Sequence, residues 1–218
     1  MTLTRHDDLS LRYVLNVPSG KPGDARMPLV VLMHGRGADA NDLADLAPMV
    51  DDGYRFVFPN APKKFEPMPG YSFGWSWFDG WPPEGDSIVR SRKKVLALLD
   101  ELVERYPTPE GKIVVAGFSQ GGLMALDAGF RTKQKIAGII DMSGALFEDD
   151  PPPLRDLPVL IIHGTEDEMV ALSYARRTRF VLEQNGVRPE YHEFPMGHHV
   201  TPESMEVVRA FLRRVLSD

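Results

Sequence analysis

The sequence predicts an α/β domain built on a mainly parallel, twisted sheet with helices on both faces. Two observations carry this. Short continuous apolar runs, the signature of strands buried on both faces, recur along the 218 residues. Segments with apolar residues at helical spacing lie between most of them, and strands alternating with helices imply parallel crossovers. The length suits one domain over residues 1–218, since single cores grow to roughly 250–300 residues. Neither an internal repeat nor a long linker argues for a second domain.

"LRYVLNV" reads as an early strand and "LVVLM" (Leu29–Met33) as a buried one. "NDLADLAPMV" follows as a first helix, which Pro48 should kink or shorten because proline lacks the N–H a helix interior needs. "RFVFP" (Arg55–Pro59) is the next strand. Residues 60–85 are rich in proline and glycine and hold all three tryptophans, so they read as one long irregular connection. "DSIVRSRKKVLALLDELVERY" is an amphipathic helix with Ile88, Val95, Leu99, Leu102, Val103 and Tyr106 on one stripe. "KIVVAGF", "KIAGII" and "PVLIIHG" are buried-type strands, with helical patterns at Gly121–Phe130 and Leu172–Asn185. "RPEYHEF" is a last strand. A last helix begins after Thr201 as N-cap, with Pro202 in its first position.

Composition excludes several functions. A net charge of −6 and a pI near 5.5 argue against nucleic-acid binding, which favours basic surfaces. The absence of cysteine removes thiolate nucleophiles, disulfides and cysteine-ligated metals. The N-terminus lacks a basic region followed by an apolar run, so no signal peptide is expected. No apolar stretch approaches the roughly 18–20 residues that cross a bilayer. The expected location is the cytoplasm. Monomer and homodimer both remain open.

Two stretches read G-x-S-x-G, the pattern of a serine on a sharp strand-to-helix turn: Gly70–Gly74 and Gly117–Gly121. With 19 glycines among 218 residues, chance supplies about 0.08 such matches, so context must separate the two. "KIVVA" leads into Ser119 and "GLMALDAGF" leads out with good helix formers. Ser72 has no strand before it and no helix after it. Ser119 is therefore the candidate nucleophile and Ser72 a loop residue.

Two other glycine motifs compete. Gly117-x-x-x-x-Gly122 begins like a P-loop, but Leu123-Met124 stands where Lys-Ser/Thr must hold phosphate and magnesium. Gly35-Arg36-Gly37-Ala38-Asp39-Ala40 fits G-x-G-x-x-A after a strand. An acid to bind the ribose should close the next strand, where Asn60 follows Pro59.

A serine hydroxyl needs an imidazole to take its proton, and the imidazole needs an acid to orient it. His34 and His163 each close a strand and precede glycine, so both lie near the active edge. The loop after the last strand, "PMGHHVT", offers His198 and His199 as the base. "TEDEMV" offers Glu166, Asp167 and Glu168 as the acid, and Asp141 is a further candidate at the end of its strand. Spacing alone does not choose among them.

In the order "LMHGRGAD", "WFD", "GFSQGG", "SGAL", "HGTEDEMV" and "GHHV", the chain resembles the phospholipase/carboxylesterase family. These are small α/β-hydrolases that include bacterial carboxylesterases and acyl-protein thioesterases. The resemblance covers nearly the whole chain. It implies an α/β-hydrolase fold without a separate cap domain. It points to Ser119 as nucleophile, Asp167 as acid and His198 rather than His199 as base. It implies an oxyanion hole from the backbone N–H groups of Gln120 and Arg36, and chemistry with neither metal nor cofactor. Trp77, within "WFD", is expected at the substrate, with Leu146 and Phe147 shaping the acyl side. Two positions depart from the family: Ala171 replaces a usual proline, and Arg36 replaces a usual apolar or aromatic residue.

The expected function is a serine carboxylesterase acting on small-molecule, short-acyl esters through an acyl-enzyme. A lysophospholipase or acyl-protein thioesterase is the enzymatic alternative. A ligand-binding protein of the same fold is the non-enzymatic one.

Overall fold

The computed structural model describes residues 2–22, 25–50, 53–148 and 150–217. Strands β1 (Thr2–His6), β2 (Tyr13–Val17), β3 (Leu29–Met33) and β4 (Arg55–Pro59) form one half of an eight-stranded sheet. After the small hairpin β5 (Lys63–Lys64) and β6 (Trp75–Ser76), the other half is β7 (Ile113–Phe118), β8 (Gly138–Met142), β9 (Val159–Gly164) and β10 (Glu190–Phe194). The order is β1-β2-β4-β3-β7-β8-β9-β10; β1 and β2 run antiparallel at one edge, and the other strands are mutually parallel.

Strands β3, β4, β8 and β9 are buried along their length because both faces are covered, whereas β10 at the sheet edge is half-buried. Strand residues alternate between two cores, as the two-residue period of a strand requires. Val31, Val115 and Ile161 face helices α2 (Ser87–Arg105), α3 (Gln120–Arg131) and α4 (Leu172–Gln184). Val30, Val114 and Leu160 face the short α1 (Ala47–Val50) and α5 (Pro202–Leu216). Among the described residues no helix is long and apolar enough to cross a membrane.

The expected elements are present, with four differences, one of them the small β5–β6 hairpin inside the stretch 60–85 read as one irregular connection. The first helix is reduced to a 3-10 turn at Ala44–Leu46 and the single turn of α1, which leaves Pro48 in a first turn, where a missing N–H costs little. Strand β8 begins three residues later than expected and takes in Asp141 and Met142. Strand β1 was not expected, because "TLTRH" carries no apolar run and is held by pairing with β2 at the sheet edge.

Helix α3 is buried from Gln120 to Phe130, so its one carboxylate must be paired inside the protein. Arg92 of α2 grips Asp127 with two bonds, Nε to Oδ2 at 2.6 Å and Nη2 to Oδ1 at 2.9 Å, and Arg131 adds a third at 3.2 Å. Asp141 has no such partner. Neither carboxyl oxygen makes a full hydrogen bond among the described residues, and burial pushes the group up to about 7, offset only in part by the Gly144 amide.

Two stability measurements follow. Asp127→Ala leaves the Arg92 guanidinium buried without its main partner and should cost about 3–5 kcal/mol by chemical denaturation. Asp141 works in the opposite sense. Its raised pKa means the folded state keeps a proton that the unfolded state releases, so it costs stability as pH rises from its ordinary 3.8 to about 7. The stability of Asp141→Asn relative to wild type should therefore rise across that window, by on the order of a few kcal/mol. A difference that does not change with pH would show that Asp141 is not held protonated.

Candidate active site

The strand order reverses between β3 and β7, and a crevice opens beyond their C-terminal ends, where open α/β sheets bind ligands. Ser119 stands there between β7 and α3 at φ 57° and ψ −120°. Only Ser119 and Ser143 among the described non-glycine residues have positive φ. A turn this tight brings backbone against backbone. A Cβ at Gly117 would overlap the Gly121 carbonyl, and one at Gly121 would overlap the Met33 carbonyl. Both glycines of this G-x-S-x-G are therefore required by packing. The Ser119 amide is tied to the Met142 carbonyl of β8 at 2.8 Å.

His198 Nε2 lies 2.9 Å from Ser119 Oγ, and His198 Nδ1 lies 2.7 Å from Asp167 Oδ2. A carboxylate can only accept, so Nδ1 carries the ring proton and Nε2 is left to accept from the serine hydroxyl. The other carboxylate oxygen of Asp167 accepts from the Met169 and Val170 amides at 2.9 and 2.8 Å. Burial alone would raise this carboxyl; the Val170 amide and the His198 ring outweigh it and hold it below its ordinary range. Glu166, Glu168 and His199 are exposed, and Asp141 makes no bond to an imidazole.

The two histidines that close strands hold loops. The Ala61 amide donates to His34 Nε2 at 3.1 Å, so His34 Nδ1 is the protonated nitrogen and donates to the Gly35 carbonyl at 2.6 Å. Burial holds His34 down at about 4, which keeps it neutral. Because a trans peptide points C=O and N–H in opposite directions, this bond turns the Arg36 N–H away from His34. His163 Nε2 donates to the Val170 carbonyl at 2.8 Å and so fixes the segment that holds Asp167. Burial lowers His163 as well. Among the described residues the Arg36 and Gln120 amides have no protein acceptor, which suits two donors to one oxyanion.

The Gln120 side chain is a brace that sequence reading missed. Its Oε1 accepts from Ser76 Oγ and the Trp77 amide at 3.1 and 3.0 Å, and its Nε2 donates to the Phe78 carbonyl at 2.9 Å. Trp77 is correspondingly not a cleft residue. It is 1% exposed, and its indole N–H donates to the His34 carbonyl at 2.8 Å. Leu146 is also in the core, its amide bound to Thr178 Oγ1, and Phe147 packs against that core.

The cleft over Ser119 has a volume of 210 Å³, and its apolar lining comes from Ala38, Trp81, Phe118, Met169 and Val170. The expected tryptophan is thus replaced by Trp81, four residues on. Both lie in one irregular loop, where no periodicity tells a wall residue from a core residue.

Ser72 is exposed in the connection between β5 and β6. Its motif has a different physical basis: a Cβ at Gly74 would overlap the Gly37 carbonyl, so this glycine lets the hairpin dock on the loop after β3. The Gly37 amide to the Trp75 carbonyl and the Trp75 amide to the Ala38 carbonyl complete that docking, each at 2.8 Å. The dinucleotide fingerprint lacks its helix as well. The first helical turn after Gly35 begins at Ala44, so no helix N-terminus stands at the glycines to hold a pyrophosphate.

Comparison with known proteins gives a concordant picture. The phospholipase/carboxylesterase family matches residues 19–216. Acyl-protein thioesterase 1 of Gibberella zeae is 31% identical over 86% of this chain and 90% of its own length. Among solved structures, esterase PE8 superimposes with a TM-score of 0.79 at 26% identity, covering 99% of this chain and 100% of its own. A carboxylesterase from Mesorhizobium loti reaches 0.81 at 22% identity, covering 97% and 99%. The chain belongs to the phospholipase/carboxylesterase family and is a serine hydrolase of esters or thioesters with the α/β-hydrolase fold.

Proposed function

We propose that this protein is a cytoplasmic, single-domain carboxylesterase that hydrolyses short-acyl esters of small molecules through an acyl-enzyme on Ser119. The observation that carries the reading is the unbroken line Ser119 Oγ to His198 Nε2, then Nδ1 to Asp167 Oδ2. Ser119 Oγ attacks the ester carbonyl as His198 Nε2 takes its proton. Asp167 stabilises the imidazolium that forms. The carbonyl oxygen gains its charge facing the Arg36 and Gln120 amides, where losing one such donor typically costs about 10²–10³-fold in rate. His198 then passes the proton to the departing alkoxide. In deacylation it activates a water that releases the acid.

The size of the cleft supports the short-acyl preference. At 210 Å³ it falls below the roughly 300–1,000 Å³ of pockets that enclose larger ligands. The thioesterase relative keeps thioesters within the reading, since the same residues serve a thiolate leaving group.

The test compares wild type, Ser119→Ala and Ser72→Ala on p-nitrophenyl acetate, butyrate and octanoate and on butyryl and octanoyl thioesters. Ser119→Ala should lose about 10³-fold or more in kcat on every substrate, with Ser72→Ala close to wild type. Acetate and butyrate should be the better oxygen esters. A clear preference for octanoyl thioester would favour the acyl-thioesterase reading instead. Full activity in Ser119→Ala would remove the nucleophile assignment.

A further inference from the structure

The loop after β3 presents a second group to the cleft besides its amide. The Arg36 guanidinium is exposed and makes no ion pair or hydrogen bond among the described residues. It lies over the Phe65 ring, 5.4 Å from the centroid, and Phe65 is itself held edge-on by Phe73 at 5.2 Å. Arg36 lines both the 210 Å³ cleft over Ser119 and an adjoining 190 Å³ pocket walled by Lys63, Lys64, Phe65, Glu66 and Asp79. It is the residue the two spaces share.

We propose that Arg36 is a specificity residue and that the adjoining pocket is a subsite for a single carboxylate carried by the ester substrate. This rests on the reading of Ser119 as the nucleophile. Three features argue for it. The guanidinium is a planar fork that grips a carboxylate through two parallel bonds, and the aromatic ring beneath it keeps its edge available. It belongs to the residue whose amide faces the oxyanion, so a carboxylate bound there is held within one side-chain length of the reacting carbonyl. The charge balance of the pocket fits a monoanion. Its three cations are Arg36, Lys63 and Lys64, set against the carboxylates Glu66 and Asp79, and Lys63 is already bound to Asp79 at 2.6 Å. A dianion such as a phosphate monoester would leave charge uncompensated. The substrates that match are half-esters of dicarboxylic acids, or esters of hydroxy acids, with the free carboxylate a few atoms from the scissile bond. The net charge of −6 opposes such substrates at long range, so selectivity must arise by contact at Arg36.

The experiment measures kcat/KM for two matched pairs. Phenyl hydrogen glutarate against phenyl valerate places the charge on the acyl side, and 3-carboxyphenyl acetate against phenyl acetate places it on the leaving group. The readout is the ratio of anionic to neutral substrate within one enzyme preparation, which cancels any change transmitted through the Arg36 amide. In at least one pair, Arg36→Gln should lower the wild-type ratio by about tenfold, chiefly through KM, with Arg36→Lys in between. Raising salt from about 0.05 M to about 0.5 M should lower the wild-type ratio relative to that of Arg36→Gln, because both enzymes carry the long-range repulsion and only wild type has a guanidinium contact to screen. Ratios that are equal in wild type and Arg36→Gln for both pairs, or that respond identically to salt in the two enzymes, overturn the subsite while leaving the esterase reading intact. A wild-type protein that turns over neither member of either pair overturns both.

Discussion

Ser119 occupies a backbone conformation that costs a non-glycine residue about 1–3 kcal/mol, and the surrounding structure is arranged to hold it there. The cost is offset by β7 on one side and the buried α3 on the other, each packed into the core over all but its last residue. Glycines at 117 and 121 remove the side chains that would otherwise meet backbone. The amide of Ser119 is tied across to β8, so the turn cannot relax without breaking the sheet's pairing at that point. The Gln120 side chain leaves the same turn in the other direction and fastens residues 76–78. One strained residue thereby sets the position of Ser119 Oγ, of the Gln120 amide and of one wall of the cleft.

Two buried neutral histidines perform matching tasks on either side of this turn. His34 at the end of β3 and His163 at the end of β9 each donate a ring N–H to a backbone carbonyl. Both are held neutral by burial, so neither competes with His198 for a proton. His34 aims the amide of Arg36, and His163 fixes the loop whose amides charge Asp167. His198 differs because it reaches the cleft surface, and its partner there is a carboxylate rather than a carbonyl. The division of labour among three imidazoles follows from burial and from the acceptor each one meets.

Much of this was legible in the sequence because it rests on local rules. The continuous apolar runs at Leu29–Met33 and Val159–Gly164 announced strands covered on both faces, and Thr201-Pro202 announced the last helix. The context of Ser119, a strand before and a helix after, separated it from Ser72. Resemblance to a family was needed to choose Asp167 and His198 from their neighbours, since which acid in "TEDEMV" turns inward depends on the amides of Met169 and Val170. The irregular stretch 60–85 was the least legible. Trp77 and Trp81 look alike in sequence, yet one is core and braces His34 while the other walls the cleft. Strand β1 was invisible because its stability lies in its partner, and Gln120 read as a backbone donor with no hint of its side-chain clamp.

The proposed mechanism rests on Ser119 being the activated serine, since its hydroxyl is the one that faces His198 Nε2. The most direct test is covalent: treat the native protein with a fluorophosphonate, digest it, and locate the adduct by peptide mass. One adduct per chain is expected, on the peptide containing Ser119, with none on the peptide containing Ser72. No adduct at all, or an adduct on Ser72, would contradict it.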